Sequence, residues 1–202
     1  ILTTAVIGSG ISAVQLTDNG GLALLINAIA TVLTLGLMIA LLQPISGAHF
    51  NPAVSLIAFV NKQMNLKALL LMVFAQITGA IIGAVLANAM FNRTLVELSE
   101  TARSGNSLLI GEVVATAGLI FTILMAIYNN KPQTLNWVVP LWIGGAYFFT
   151  SSSSFANPAV TIGRSLSNSF AGIEPASALQ FIFAQFVGAF IGLALEIGRA
   201  HV

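Results

Sequence analysis

Asn51-Pro52-Ala53-Val54 recurs as Asn157-Pro158-Ala159-Val160, 106 residues further along the chain. Each copy comes after a small or polar run, Ser46-Gly47-Ala48-His49-Phe50 in the first case and Ser151 to Ser154, then Phe155-Ala156, in the second. Asparagine is a strong helix N-cap and proline is favoured at the first helical position, so each copy reads as a helix start. The apolar stretches after them, Pro52 to about Val60 and Pro158 to about Asn168, are too short to cross a bilayer, which takes about 20 residues. Half-helices of that kind persist in a membrane only where their open backbone is buried in protein or lines a wet cavity, and their N-terminal ends carry partial positive charge. The stretch therefore predicts a pore or a solute site at the membrane midplane.

Composition agrees with a membrane setting. Of 202 residues, 57% are hydrophobic and 6% charged, with a net charge of +1 and a mean hydropathy of +0.95, where a soluble domain carries about 25% charged residues. No basic patch points to nucleic acid. The chain has no cysteine, which removes disulfides, thiolate catalysis and Cys-based metal sites. Its two histidines, His49 and His201, are far apart, and no nucleophile and base stand in a usable pattern. Neither an enzyme, nor a metal site, nor a cofactor is expected.

Hydrophobic runs and breakers divide the rest. Ile1 to Leu16 reads as part of a spanning helix truncated at its N-terminal side, and Thr17-Asp18-Asn19-Gly20-Gly21 as a turn. Leu22 to Leu42 is a second span, stopped by Gln43-Pro44, and Leu66 to Phe91 a third. Asn92 to Asn106, with Arg93, Glu97, Glu100 and Arg103, is expected in water. Leu108 to Tyr128 is a fourth span with Glu112 inside it, Leu135 to about Thr150 a short fifth, and Pro175 opens the sixth. The expected fold class is an all-α membrane protein of six transmembrane helices plus two re-entrant half-helices. Glu196-Ile197-Gly198-Arg199-Ala200-His201-Val202 back-translates into the opening bases of a short-read sequencing adapter. Residues 196–202 are thus expected to be non-native, the alternative being a short polar tail.

A second motif ties the halves together. Phe74-Ala75-Gln76, Gly79-Ala80 and Gly83 recur as Phe183-Ala184-Gln185, Gly188-Ala189 and Gly192, an offset of 109 from residue 74 to residue 183. Residues 1–202 read as a single transmembrane domain, with repeat one at 1–91 and repeat two at 107–195. Three spans per half is an odd number, so the second copy is inverted and the half-helices meet end to end. The four glycines have small-xxx-small spacing, which lets helix backbones approach.

The paired motifs, the Ser46-Gly47-Ala48-His49-Phe50 lead-in, the six spans in two repeats and Glu112 resemble the aquaporin, or major intrinsic protein, family over essentially the whole chain. The resemblance implies a homotetramer with one pore per subunit, passing water or small uncharged solutes down their gradient, with cytoplasmic termini. A bacterial inner membrane is the expected location. It places the pore centre at Asn51, Pro52, Ala53, Asn157, Pro158 and Ala159. Each asparagine can cap its half-helix with the side-chain oxygen and turn its NH2 toward the pore. The carbonyls of Gly47, Ala48 and His49, and of Ser153, Ser154 and Phe155, resemble the family's acceptor ladder. His49 reads as a hydrogen-bonding wall residue rather than a pH switch, and Glu112 as a buried acid bonding loop backbone rather than a proton relay.

Substrate is read from departures. Typical members have an arginine straight after the second Asn-Pro-Ala; here Val160 stands there. The matching selectivity-filter positions fall at Thr31, where water channels have an aromatic, at Ser154, and on the fifth helix among Phe148 to Ser151, with Ser151 preferred. These residues predict a wide, uncharged, mildly polar opening. The short loop reading Phe155-Ala156-Asn157-Pro158-Ala159-Val160-Thr161 is similar to bacterial members found alongside arsenic-resistance genes. Trivalent metalloid hydroxides therefore join glycerol and water as candidates, a water-selective channel being the alternative. Arg164, four residues after Val160 and on the same helical face, either reaches back toward the opening or sits in the outer vestibule bonding loop carbonyls. A coupled secondary transporter is the rival of another class, but it would need midplane carboxylates, and Glu112 is the one acid available.

Overall fold

The computed structural model describes residues 1–199. Ala200, His201 and Val202, the end of the segment expected to be non-native, lie outside the described residues. Among the described residues, eight α-helices succeed one another: α1 (Leu2–Leu16), α2 (Gly20–Ser46), α3 (Pro52–Val60), α4 (Leu66–Met90), α5 (Asn106–Tyr128), α6 (Leu135–Phe149), α7 (Pro158–Arg164) and α8 (Pro175–Arg199). A 3-10 turn at Pro132–Thr134 leads into α6. Four helices among the described residues, α2, α4, α5 and α8, are long and apolar enough to cross a membrane.

Asparagine side chains start four of the helices. The Asn19 oxygen accepts from Leu22 N, Asn65 from Ala68 N, Asn51 from Ala53 N, and Asn157 from Ala159 N and Val160 N. Each satisfies N–H groups that a helix start leaves open.

Two expectations need correcting. Pro44 does not stop α2: so near the end its missing N–H removes a single helical bond, and the helix runs to Ser46. Gly47 closes it at φ 76°, donating its N–H to the Gln43 carbonyl at 3.0 Å. α7 ends at Arg164, not near Asn168, because the Ser165 hydroxyl donates to the Ile162 carbonyl and Asn88 of α4 draws in Leu166 and Ser167. The Asn88 amide donates to the carbonyls of Leu95 and Leu166, and its oxygen accepts from Ser167 Oγ. The 92–105 connection, expected in water, is mostly exposed, and its backbone also pairs with the segment after α7. Glu97 N and Ser99 N donate to Leu166 O and Ser165 O, Glu174 N donates to Thr101 O, and Ser99 is buried.

The helices pack around the two short ones. α5 runs closely along α8, α1 lies against α2 and α4, and α2 against α6. α3 touches α4 and α8, and so does α7. Glycines permit the closest approaches: a Cβ at Gly83 would press on Thr3 and Thr4, one at Gly188 on the Val113 carbonyl, and one at Gly192 on that of Ala117, whereas Gly79 faces open space. The outer surface is apolar. Leu33, Phe74, Leu179 and Phe183 are each about two-thirds or more exposed, a surface suited to hydrocarbon rather than water.

Candidate functional site

α3 and α7 meet start to start, and the two asparagines at their heads are crossed. Asn51 Nδ2 donates to the Ala156 carbonyl at 2.7 Å, and Asn157 Nδ2 donates to the Phe50 carbonyl at 2.9 Å. Each amide thus spends its oxygen on its own helix and one hydrogen on the opposite loop. The second hydrogen of each is left at the wall of a cavity of about 330 Å³ that both asparagines line.

Three helices supply much of the rest of that wall as stripes of helical period. α2 contributes Thr31, Leu35, Ile39 and Gln43; α6 contributes Leu135, Val139, Ile143 and Tyr147; α5 adds Leu119, Ile123 and Ile127. One end is tied by Gln43 Nε2 donating to the Pro132 carbonyl at 2.7 Å, the other by the Tyr147 hydroxyl donating to Thr31 Oγ1 at 3.2 Å. The middle of each stripe offers no hydrogen bond, and the polar wall comes from the loops.

Those loops match in backbone at two positions and differ at a third, Ala156, whose φ of 46° has no positive counterpart at Phe50. Four residues before each asparagine, Gly47 and Ser153 have φ of 76° and 59°; three before, Ala48 and Ser154 have 54° and 49°. Left-handed conformations cost about 1–3 kcal/mol each at non-glycine residues and persist where surroundings hold them. Here Glu112 and two glutamines do the holding. Glu112 Oε1 accepts from Phe155 N at 2.8 Å, and Oε2 accepts from Ala156 N at 2.9 Å and Gln185 Nε2 at 2.6 Å. Gln185 Nε2 also donates to Thr161 Oγ1, and Gln76 Nε2 to the His49 carbonyl and Ser55 Oγ. Thr161 and Ser55 each stand four residues after their asparagine, so the glutamines occupy equivalent places. The repeated Phe-Ala-Gln is plain in the sequence, yet it assigns the glutamines no role; the signal it does carry is an amide at matching positions in two apolar spans.

The other candidates divide. Thr31, Gly47, Ala48, His49, Ser154, Phe155, Val160 and Arg164 line the cavity. Pro52, Ala53, Pro158 and Ala159 are buried behind their asparagines as first helical turns. Ser153 and Ser151 are not on the wall. Ser151 is exposed and donates to the Ser107 carbonyl at 2.6 Å; α6 has ended by Phe149, and the residue it turns inward is Tyr147, a full turn earlier. The carbonyl ladder is partly committed, since His49 O accepts from Gln76 and Ala48 O from Phe50 N. The opening is not uncharged, for the wall includes Arg164. Arg103, unassigned from sequence, lies nearby, its guanidinium 5.3 Å from the Phe155 ring centre. Burial lowers its pKa from the ordinary value, and the charge of Glu112 opposes the shift.

The major intrinsic protein family model matches residues 1–156. The aquaglyceroporin AqpS of Rhizobium meliloti (strain 1021) is 43% identical over 195 residues, 96% of this chain and 83% of that protein. An aquaglyceroporin of Toxoplasma gondii (strain ATCC 50611 / Me49) is 30% identical over 173 residues, 82% of this chain and 65% of its own. Among solved structures, the aquaglyceroporin from Plasmodium falciparum superposes with a TM-score of 0.69 at 20% identity, over 96% of this chain and 90% of that one, a likeness of fold.

Proposed function

The chain belongs to the major intrinsic protein family, and from that premise we propose that it is a passive transmembrane channel for small uncharged solutes, water and glycerol first, with trivalent metalloid hydroxides as further candidates. The observation that carries the reading is the crossed asparagine pair, which leaves one amide hydrogen from each half at the cavity wall. A hydroxylic solute accepts from these donors and then slides along apolar stripes that offer it nothing to hold. A cation meets donors and helix starts, with no carboxylate ring to replace its hydration shell.

In this reading α1 to α4 form repeat one (1–91) and α5 to α8 repeat two (107–195), inverted in the membrane, with α1, α2, α4, α5, α6 and α8 as the six crossings and α3 and α7 as re-entrant halves. The matched φ angles and the equivalent Gln76 and Gln185 bonds support it. Thr31, Tyr147, Ser154 and Val160 make the outer selectivity filter, wide because valine replaces a longer side chain. The assembly is a homotetramer with cytoplasmic termini in a bacterial inner membrane, a reading that rests on the family.

A coupled transporter needs a carboxylate free to take a cation or a proton. Glu112 has both oxygens engaged by loop N–H groups and Gln185, which favours the channel. Stopped-flow light scattering on proteoliposomes tests this. Glycerol flux should rise linearly with its gradient and ignore imposed sodium or proton gradients; saturation at low glycerol concentration, or dependence on either ion, would overturn it.

A further inference from the structure

Two arginines approach Phe155, and they are spent differently. Arg103 Nε donates to the Gly172 carbonyl at 2.8 Å and its Nη2 to the Phe170 carbonyl at 3.2 Å, and it is not on the cavity wall. Arg164 is on the wall, one turn along α7 from Val160, and is only 4% exposed. Its guanidinium carbon lies 3.3 Å from the Phe155 ring centre, and its Nε donates to the Ala171 carbonyl. Ring and carbonyl fix the guanidinium and leave both Nη groups, with four hydrogens between them, without a hydrogen-bond partner among the described residues. No carboxylate neutralises it: among the described residues the one salt bridge is Arg93–Glu97, and Glu112 is bound to the loop and Gln185. A buried cation with unused donors is costly unless something meets them, and Arg164 lines the cavity.

We propose that Arg164 is a specificity-determining residue, whose unpartnered guanidinium hydrogens bind the oxygen of a passing neutral solute and whose charge repels cations at the outer opening. Width and charge there are then set by two residues: Val160 leaves room, and Arg164, a turn further along α7 and over the Phe155 ring, supplies donors and charge. This rests on the channel reading.

The test compares wild type, Arg164→Gln and Arg164→Lys in proteoliposomes, measuring glycerol swelling and potassium leak after assembly is checked by size-exclusion chromatography. Glutamine keeps a donor for the Ala171 carbonyl but removes the charge. Its potassium leak should rise by about tenfold or more, as expected for losing a unit charge in a confined, low-dielectric site, with a smaller change, about threefold, in glycerol flux. Lysine keeps the charge and should hold the leak within about twofold of wild type. An assembled Arg164→Gln protein that excludes potassium as wild type does would overturn the proposal, as would an Arg164→Lys protein that leaks. If Arg164→Gln fails to assemble, the lysine variant decides alone by the same criterion. Wild-type vesicles that pass no neutral solute would instead refute the channel reading, a separate outcome.

Discussion

Val160 is small, 6% exposed and at the cavity wall, and its N–H donates to the capping oxygen of Asn157, three residues before it. Val160→Arg would put a second guanidinium one turn from Arg164, narrowing the opening and adding repulsion where two cations share one wall. Glycerol has to pass its bulk through that gap and water does not. Glycerol flux should fall by about tenfold or more, the scale on which a pocket discriminates by size, and water flux by less than about threefold. Light scattering with each osmolyte measures both, and equal losses would locate the constriction elsewhere. Single residues are legible where their chemistry is local. Asn51 and Asn157 declare themselves because a cap and the proline after it are neighbours in sequence. Tyr147 does not, since which side chain of α6 faces inward depends on how that helix is rotated against α2. Arg164 is visible as a charge in an apolar run, but its contacts with Phe155 and the Ala171 carbonyl depend on how a loop turns back.

At the scale of elements, the short helices owe their position to long-range bonds rather than to their own nine and seven residues, too few to be stable alone. Glu112→Gln tests this. The carboxylate gives two acceptors to Phe155 N and Ala156 N, whereas an amide presents one acceptor and one donor, so one loop N–H would face an NH2 group. Leaving a buried donor unmet costs about 1–3 kcal/mol; the melting temperature in detergent should drop and solute flux should fall with it. A variant melting with wild type would show that the loop holds its left-handed residues without Glu112. The boundaries that sequence misplaces are of the same kind. Pro44 reads as a stop by local rules, yet a proline close to a helix end removes too little to break it. α7 stops early because Asn88, far away in sequence, takes up the Leu166 carbonyl and the Ser167 hydroxyl. The 92–105 connection looks solvated by its charges, and its backbone pairing with residues 165 to 174 is invisible in one dimension.

For the molecule as a whole, repeated motifs need not mean repeated packing. Gly79 and Gly188 are equivalents in sequence, but a Cβ at Gly79 meets nothing within 4 Å while one at Gly188 would sit 2.5 Å from the Val113 carbonyl. Gly79→Ala should therefore stabilise the fold by about 0.5–1 kcal/mol through backbone entropy, and Gly188→Ala should destabilise it by about 1–3 kcal/mol by forcing α5 from α8. Thermal unfolding of the two variants side by side gives the comparison, and shifts of the same sign would contradict it. The crossed asparagines also govern how the molecule can be made. The Asn51 amide and the Phe50 carbonyl leave the ribosome more than a hundred residues before the partners that satisfy them, Ala156 and Asn157. An orphaned donor in hydrocarbon costs several kcal/mol, so α3 cannot settle into a dry membrane as it is synthesised and must stay hydrated until α7 docks. The centre of the channel thus closes late in biosynthesis, only once α7 has been made, and such pairing across a long stretch of chain is intrinsically slow.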